Sequence, residues 1–206
     1  MSAPTRRGPV GATRVLEVVW RSCAALALGW IAYGAWRLVL QPRPEGAIDL
    51  RLRWREVRAW FDGVPTYATF SDAVYPPASY LMLWPFAAWD SLAALRWFWL
   101  AVNLALLGWL AAQLVRAAGE GAWRRPFVAA ALASYPIGAT LGNGQLGLAV
   151  TACLLALVAR LAAGPRDLRG DLALAGLFLV VLVKPSLGAY FFWTLLLGFS
   201  PLSLVH

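Results

Sequence analysis

An all-α, polytopic membrane bundle with an amphipathic interfacial helix in its first external loop is the fold class predicted for this 206-residue chain. Three observations predict it. Hydrophobic residues make up 61% of the sequence and charged residues only 14%, where soluble domains carry about a quarter. Apolar runs of about 17 to 25 residues recur, each long enough to cross roughly 30 Å of hydrocarbon. The arginines fall at the ends of those runs, where side chains mark the cytoplasmic face or meet lipid phosphate. The net charge of +8 is therefore assigned to the membrane and not to nucleic acid. Cys23 and Cys153 lie inside apolar runs, without a CxxC pair and with one histidine in the chain, so neither a disulfide framework nor a zinc site is supported.

The first apolar run covers 15–40 and follows a polar segment with Arg6, Arg7 and Arg14, which fits an N-terminus held inside. Gly8 and Pro9 stand where a twin-arginine signal wants apolar residues. Ala32-Tyr33-Gly34 resembles a cleavage pattern, but the apolar character continues to Leu40, so the run is read as an uncleaved anchor. Residues 41–75 form the longest polar stretch, assigned to an external loop. Within it Leu50, Trp54, Val57 and Phe61 recur at helical spacing, and Arg51, Arg55, Arg58 and Asp62 repeat it on another face. A helix of that kind lies flat at the bilayer surface. Asp62-Gly63-Val64-Pro65 ends it, and Pro76-Pro77 opens the next element.

Beyond that point 78–89 is apolar but short, and 92–115 is a full span. Runs 127–141 and 146–159 are separated by Gly142-Asn143-Gly144-Gln145, and 172–197 is the last long run, with Lys184 near its middle. Asp90 is read as a helix cap. If 78–89 dips in without crossing, the three Arg-rich segments (the N-terminus, 116–125 and 160–169) share the cytoplasmic side, and 41–75 lies outside with 142–145. If 78–89 crosses, everything downstream inverts; the first arrangement is preferred. The tail 198–206 carries no anchor or charged stop, so the 1–206 transmembrane domain is expected to be the N-terminal part of a longer module.

An acid after the first span (Asp49), a helical stretch ending Asp62-Gly63-Val64-Pro65-Thr66-Tyr67, then Tyr75-Pro76-Pro77, Gly144-Gln145 and Lys184-Pro185 follow one another in an order that resembles glycosyltransferase family 87 over about 45–197. The resemblance implies a GT-C-class transferase of the plasma membrane that moves mannose from a polyprenyl-phosphate donor to a glycan or glycolipid hydroxyl of the cell envelope. It implies an inverting reaction on the outer face, with Asp49 as general base. A carboxylate suits that task, because the acceptor alcohol must lose a proton as it attacks. The alternative is that Asp49 caps the helix it precedes; both roles can coexist.

A departing lipid phosphate is stabilised by positive charge, for which Arg51, Arg55, Arg58 and Lys184 are the candidates. The same arginines could form a solvated face at the headgroups. Where the family carries aromatic residues after the acid, this chain has Leu50-Arg51-Leu52-Arg53-Trp54. Tyr75, Asn143 and Gln145 are candidate pocket residues, against plain structural jobs for the proline pair and the turn. A charge mid-span, as for Lys184, costs about 3 kcal/mol on insertion scales and usually faces a cavity or partner; pairing with phosphate or Asp49 is expected. Beyond the lipid-linked donor no cofactor is implied, and no metal-ligand cluster stands in the sequence. Membrane lipid is the expected surroundings. A carrier or channel with a midplane site at Lys184 and 142–145, or a truncated inactive relative, are the alternative readings.

Overall fold

The first apolar run becomes α1 (Val10–Val39), a helix that stays unbroken through Ala32-Tyr33-Gly34 in the computed structural model, which describes residues 10–42, 45–87, 89–163, 167–184 and 188. Arg6, Arg7, Pro185 and the tail 198–206 lie outside the described residues. The polar stretch holds α2 (Ile48–Phe61) and a single turn, α3 (Thr66–Thr69). Then come α4 (Pro77–Ala87), α5 (Leu92–Ala117), α6 (Arg124–Leu132), α7 (Tyr135–Asn143), α8 (Gly147–Ala162) and α9 (Leu168–Leu182). No strand occurs among the described residues, and the fold is that of a helical membrane protein. By length and composition Arg14–Val39 of α1 and Leu92–Ala117 can cross a bilayer. The 124–143 stretch with α8, bent by 119° at the 144–146 break, would make a third span if counted as one.

α1 and the α6–α7 stretch run parallel, side by side, because glycines let them approach. A Cβ on Gly34 would stand 3.1 Å from the carbonyl oxygen of Gly138, and one on Gly138 would stand 3.0 Å from the Trp30 ring. Small residues at such an interface let backbones pack closely where no hydrophobic drive exists between helices. α5 returns antiparallel to α1: near its start Arg96 donates to the carbonyls of Leu38 and Gln41 at the end of α1, and near its end Val115 faces the same cavity as Trp20 and Arg124. α8 then runs away from the 142–145 turn and α9 comes back, with Leu157 packed on Leu174 and Val150 and Leu154 on Val181.

One end of the bundle thus collects the C-terminus of α1, the start of α2, the start of α5, the α7–α8 break and the end of α9. A core of Leu38, Leu50, Leu95, Trp99, Leu141 and Leu148 binds five of these helices together. Beside it Val57, Tyr80, Leu83, Ala87 and Val183 join α2 and α4 to the end of α9. α4 holds 11 residues, about 16 Å of helical rise, which is half a hydrocarbon core. The chain leaves α2 at Phe61 and is back against it at Trp89, whose carbonyl accepts from Trp54 Nε1 (2.9 Å) and Arg58 Nη1 (3.2 Å). Residues 62–90 therefore leave α2 at its end and return to its side.

α9 stops at Leu182, and Lys184 stands just past its end, ahead of Pro185; of the 172–197 run, 172–184 and 188 are among the described residues. Three expectations need correction. Run 127–141 is split at 133–134, where Ser134 is extended ahead of Pro136, a residue without an N–H to give. The cap of α5 is Ser91, whose side chain accepts from the Ala94 N–H at 3.2 Å; Asp90 instead takes Arg58 Nη1 at 3.2 Å. Asp49 does not cap α2: the helix starts one residue earlier, Ala47 takes the capping position, and Asp49 lies in the first turn.

Candidate functional site

The start of α2 is built on backbone contacts. Ala47, fully buried, adopts a left-handed conformation (φ 52°), and its N–H donates to the Gly142 carbonyl at 3.3 Å. Gly144 (φ 69°) ends α7, and a Cβ there would meet Leu50 Cβ at 2.6 Å. Only a residue without a side chain allows the turn and the helix to touch in this way. The sequence-predicted acid and the 142–145 turn, nearly a hundred residues apart, are thereby brought to one place.

Asp49 is half-buried in the first turn of α2, and among the described residues its carboxylate makes no hydrogen bond or ion pair. Tyr75, also half-buried, shares its surroundings: burial pushes the Tyr75 hydroxyl pKa up, the Arg53 guanidinium opposes this, and the charges of Asp49 and then Glu56 add to the rise. The Tyr75 carbonyl accepts from Tyr67 Oη at 2.6 Å, which anchors the segment ahead of Pro76-Pro77. At the turn itself Asn143 Oδ1 is buried without a hydrogen bond, and the Gln145 N–H donates to the Thr140 carbonyl at 2.9 Å.

The four candidate cations have different fates. Arg51 is half-buried with its Nε unpartnered. Arg55 is exposed, its guanidinium 5.2 Å from the Phe70 ring centre. Arg58 is engaged by Trp89 and Asp90, and its guanidinium lies 5.2 Å from the Trp54 ring centre. Lys184 is half-buried beside Val183, whose carbonyl accepts from Ser79 Oγ at 3.1 Å, and it makes no ion pair with Asp49 among the described residues. Asp49, Arg51, Tyr75, Asn143 and Gln145 thus belong to one end of the bundle, Lys184 flanks it on the α4 side, and Arg58 is tied to the start of α5.

Sequence reasoning missed a second carboxylate. Glu56 is fully buried on the inner face of α2, with Arg53 Nη1 2.7 Å away from its Oε2 and Tyr80 Oη donating to the same oxygen at 3.4 Å. Arg53 in turn donates from Nη2 to the Asp72 carbonyl (3.2 Å) and lies 4.4 Å from the Tyr75 ring centre. Burial raises the Glu56 pKa to about 6, with the Arg53 charge and the Tyr80 hydrogen bond holding it from going higher and Asp72 adding a small rise. The readable signal was the opposite-charge spacing Arg53 to Glu56 at i, i+3. Among the described residues no group of three or more His, Cys, Asp or Glu is arranged to hold a metal ion.

Chemically, the end of the bundle offers the Asp49 carboxylate, unpaired among the described residues, the Tyr75 hydroxyl that feels its charge, the buried Asn143 amide oxygen of the neighbouring turn, and guanidinium groups further along the same helix. Against known proteins, the family model for glycosyltransferase family 87 matches residues 73–198. Tyr75, Asn143, Gln145 and Lys184 fall inside the match; Asp49, Arg51, Arg55 and Arg58 precede it, so it starts later than the 45–197 resemblance expected from the motifs. Comparison with curated proteins and with solved structures returns no match. With more than half of its length covered, from the loop before α4 past the end of α9, the chain belongs to glycosyltransferase family 87 and is a membrane glycosyltransferase.

Proposed function

We propose that this chain is a multi-pass, GT-C-type enzyme of the plasma membrane that transfers mannose from polyprenyl-phosphate-mannose to a hydroxyl of an envelope glycan or glycolipid. The observation that carries the reading is the unpaired Asp49 carboxylate at the bundle end where α1 finishes, α2 begins and the 142–145 turn packs, in a chain of this family. In the reaction the acceptor oxygen attacks the anomeric carbon from the face opposite the phosphate. Its proton passes to Asp49, the carbon–oxygen bond to the phosphate breaks, and the configuration inverts. The polyprenyl phosphate leaves with the bonding pair, and Arg51, with a free Nε, is best disposed to receive it; Arg55, Arg58 and Lys184 supply the surrounding positive field. Tyr75, Asn143 and Gln145 face the sugar.

The reading also sets the sidedness. With 62–90 returning to the side of α2 and α4 too short to span, the 78–89 stretch is taken not to cross, and the ends bearing Arg116, Arg124, Arg125, Arg160 and Arg169, away from the site, are assigned to the cytoplasmic side by the charge rule. A carrier would want its break and its cation half-way along the bundle, whereas here the 142–145 turn is level with the end of α1. The test is to reconstitute the chain in liposomes with polyprenyl-phosphate-mannose labelled in the sugar and isolated envelope membranes as acceptor. Label is expected to move to the acceptor fraction with inversion at the anomeric carbon. Correct insertion with no transfer from this donor would overturn the donor assignment.

A further inference from the structure

At the opposite end of the bundle lies a cavity that the sugar chemistry does not use. It has a volume of about 630 Å³ between α1, α5 and α6, and its walls are apolar and mostly small: Ala24, Ala27 and Ile31 from α1, Val115 from α5, Val128 and Ala129 from α6. Arg124 and Arg125 stand at its mouth, where a second cavity of about 410 Å³ adjoins through these two arginines and Trp20. The mouth is positive. Of its acids, Glu17 is already engaged by Arg21 (2.7 Å) and by Trp20 Nε1 (2.9 Å), while Glu120 is exposed. Neither Arg124 nor Arg125 forms an ion pair among the described residues, and the Arg125 guanidinium lies 5.8 Å from the Trp20 ring centre.

From this arrangement we infer that the groove holds an anionic phospholipid of the cytoplasmic leaflet, one acyl chain between α1, α5 and α6 and the headgroup phosphate on Arg124 and Arg125. Three physical points lead to that occupant. An apolar channel that opens at one end onto paired guanidinium groups matches a molecule with a long apolar tail and a negative head. Arginine binds phosphate oxygens with paired N–H donors, and a tryptophan beside it belongs to the headgroup level of a bilayer. Basic pockets between helices on the cytoplasmic side are where anionic headgroups collect. The alanines set the width: a large side chain at Ala27 or Ala129 would fill the space the acyl chain needs.

The test is native mass spectrometry on the whole chain, purified in mild detergent and titrated with dioleoylphosphatidylglycerol or dioleoylphosphatidylcholine, which requires no sugar transfer and so reads separately from the enzyme's activity. The wild-type chain is expected to prefer the anionic lipid by about tenfold or more, since each arginine near a membrane surface contributes on the order of 1 kcal/mol. The Arg124→Gln/Arg125→Gln double variant is expected to lose that preference, and Arg124→Lys/Arg125→Lys to keep most of it. Ala27→Trp is expected to weaken both lipids together. Equal binding of the two lipids by the wild-type chain would overturn the inference even if the double variant does not fold. So would an unchanged preference in the Gln variant, or displacement of the anionic lipid by polyprenyl phosphate at equal concentration.

Discussion

A carboxylate enclosed by Val57, Tyr80 and Arg53 titrates differently from one in water, and Glu56 therefore links stability to pH. Its pKa is about 6 in the folded chain against 4.5 for the free group, so the folded state binds the proton more tightly. The free energy of unfolding then rises as pH falls from about 6 to 4.5, by up to about 2 kcal/mol, and the gain is absent above that window. Thermal melts in detergent at pH 7 and pH 4.5 should show this contribution in the wild-type chain, and Glu56→Gln should remove it from the difference between the two. An identical pH response in the Gln variant would place the titration elsewhere. Sequence reading found Leu50 and Val57 on the inward face because their spacing is periodic. It passed over Glu56 because a charged residue next to an apolar one is ordinarily turned to water, and the Arg53 ion pair at 2.7 Å together with the Tyr80 hydroxyl lets it be buried here.

Where α2 begins, elements approach so closely that a side chain on the facing glycine would clash. Gly144 has a left-handed backbone and lies against Leu50, whereas Gly63, which follows α2, has a similar φ of 74° with no atom within 4 Å of where a methyl group would stand. Gly63→Ala should cost about 1 kcal/mol from backbone strain alone, and Gly144→Ala clearly more, because Leu50 and the Asp49 turn must also shift. Unfolding curves in mixed micelles compare the two; equal losses would mean that the 142–145 turn does not bear on α2. Most element borders were readable for local reasons. The periodic face gave α2, Pro77 gave the start of α4, and Asp62-Gly63 gave the stop after Phe61. The end of α9 was marked by Lys184-Pro185, since proline cannot continue a helix. The split between α6 and α7 was passed over, although Pro136, without an N–H to give, stands at the start of α7. The contact between Ala47 and Gly142 is a tertiary backbone contact, and no residue type at either position announces it.

At the scale of the whole molecule the arrangement of helices gives two chemically different ends: amides, Asp49 and the α2 arginines at one, Arg124, Arg125 and Trp20 at the other. In a Cys23→Ala/Cys153→Ala background, Asp62→Cys and Gln145→Cys should react with a membrane-impermeant maleimide on intact cells, and Glu120→Cys only after the membrane is opened. Labelling of Glu120→Cys from outside would invert the topology and remove the outer-face reaction. The central claim rests on Asp49, and transfer of labelled mannose from polyprenyl-phosphate-mannose by the Asp49→Asn chain in liposomes tests it most directly. The account predicts a loss of 10²-fold or more, as removal of a general base gives on the order of 10²- to 10⁴-fold, with helix content and insertion unchanged. An Asn variant that transfers sugar at the wild-type rate would contradict it.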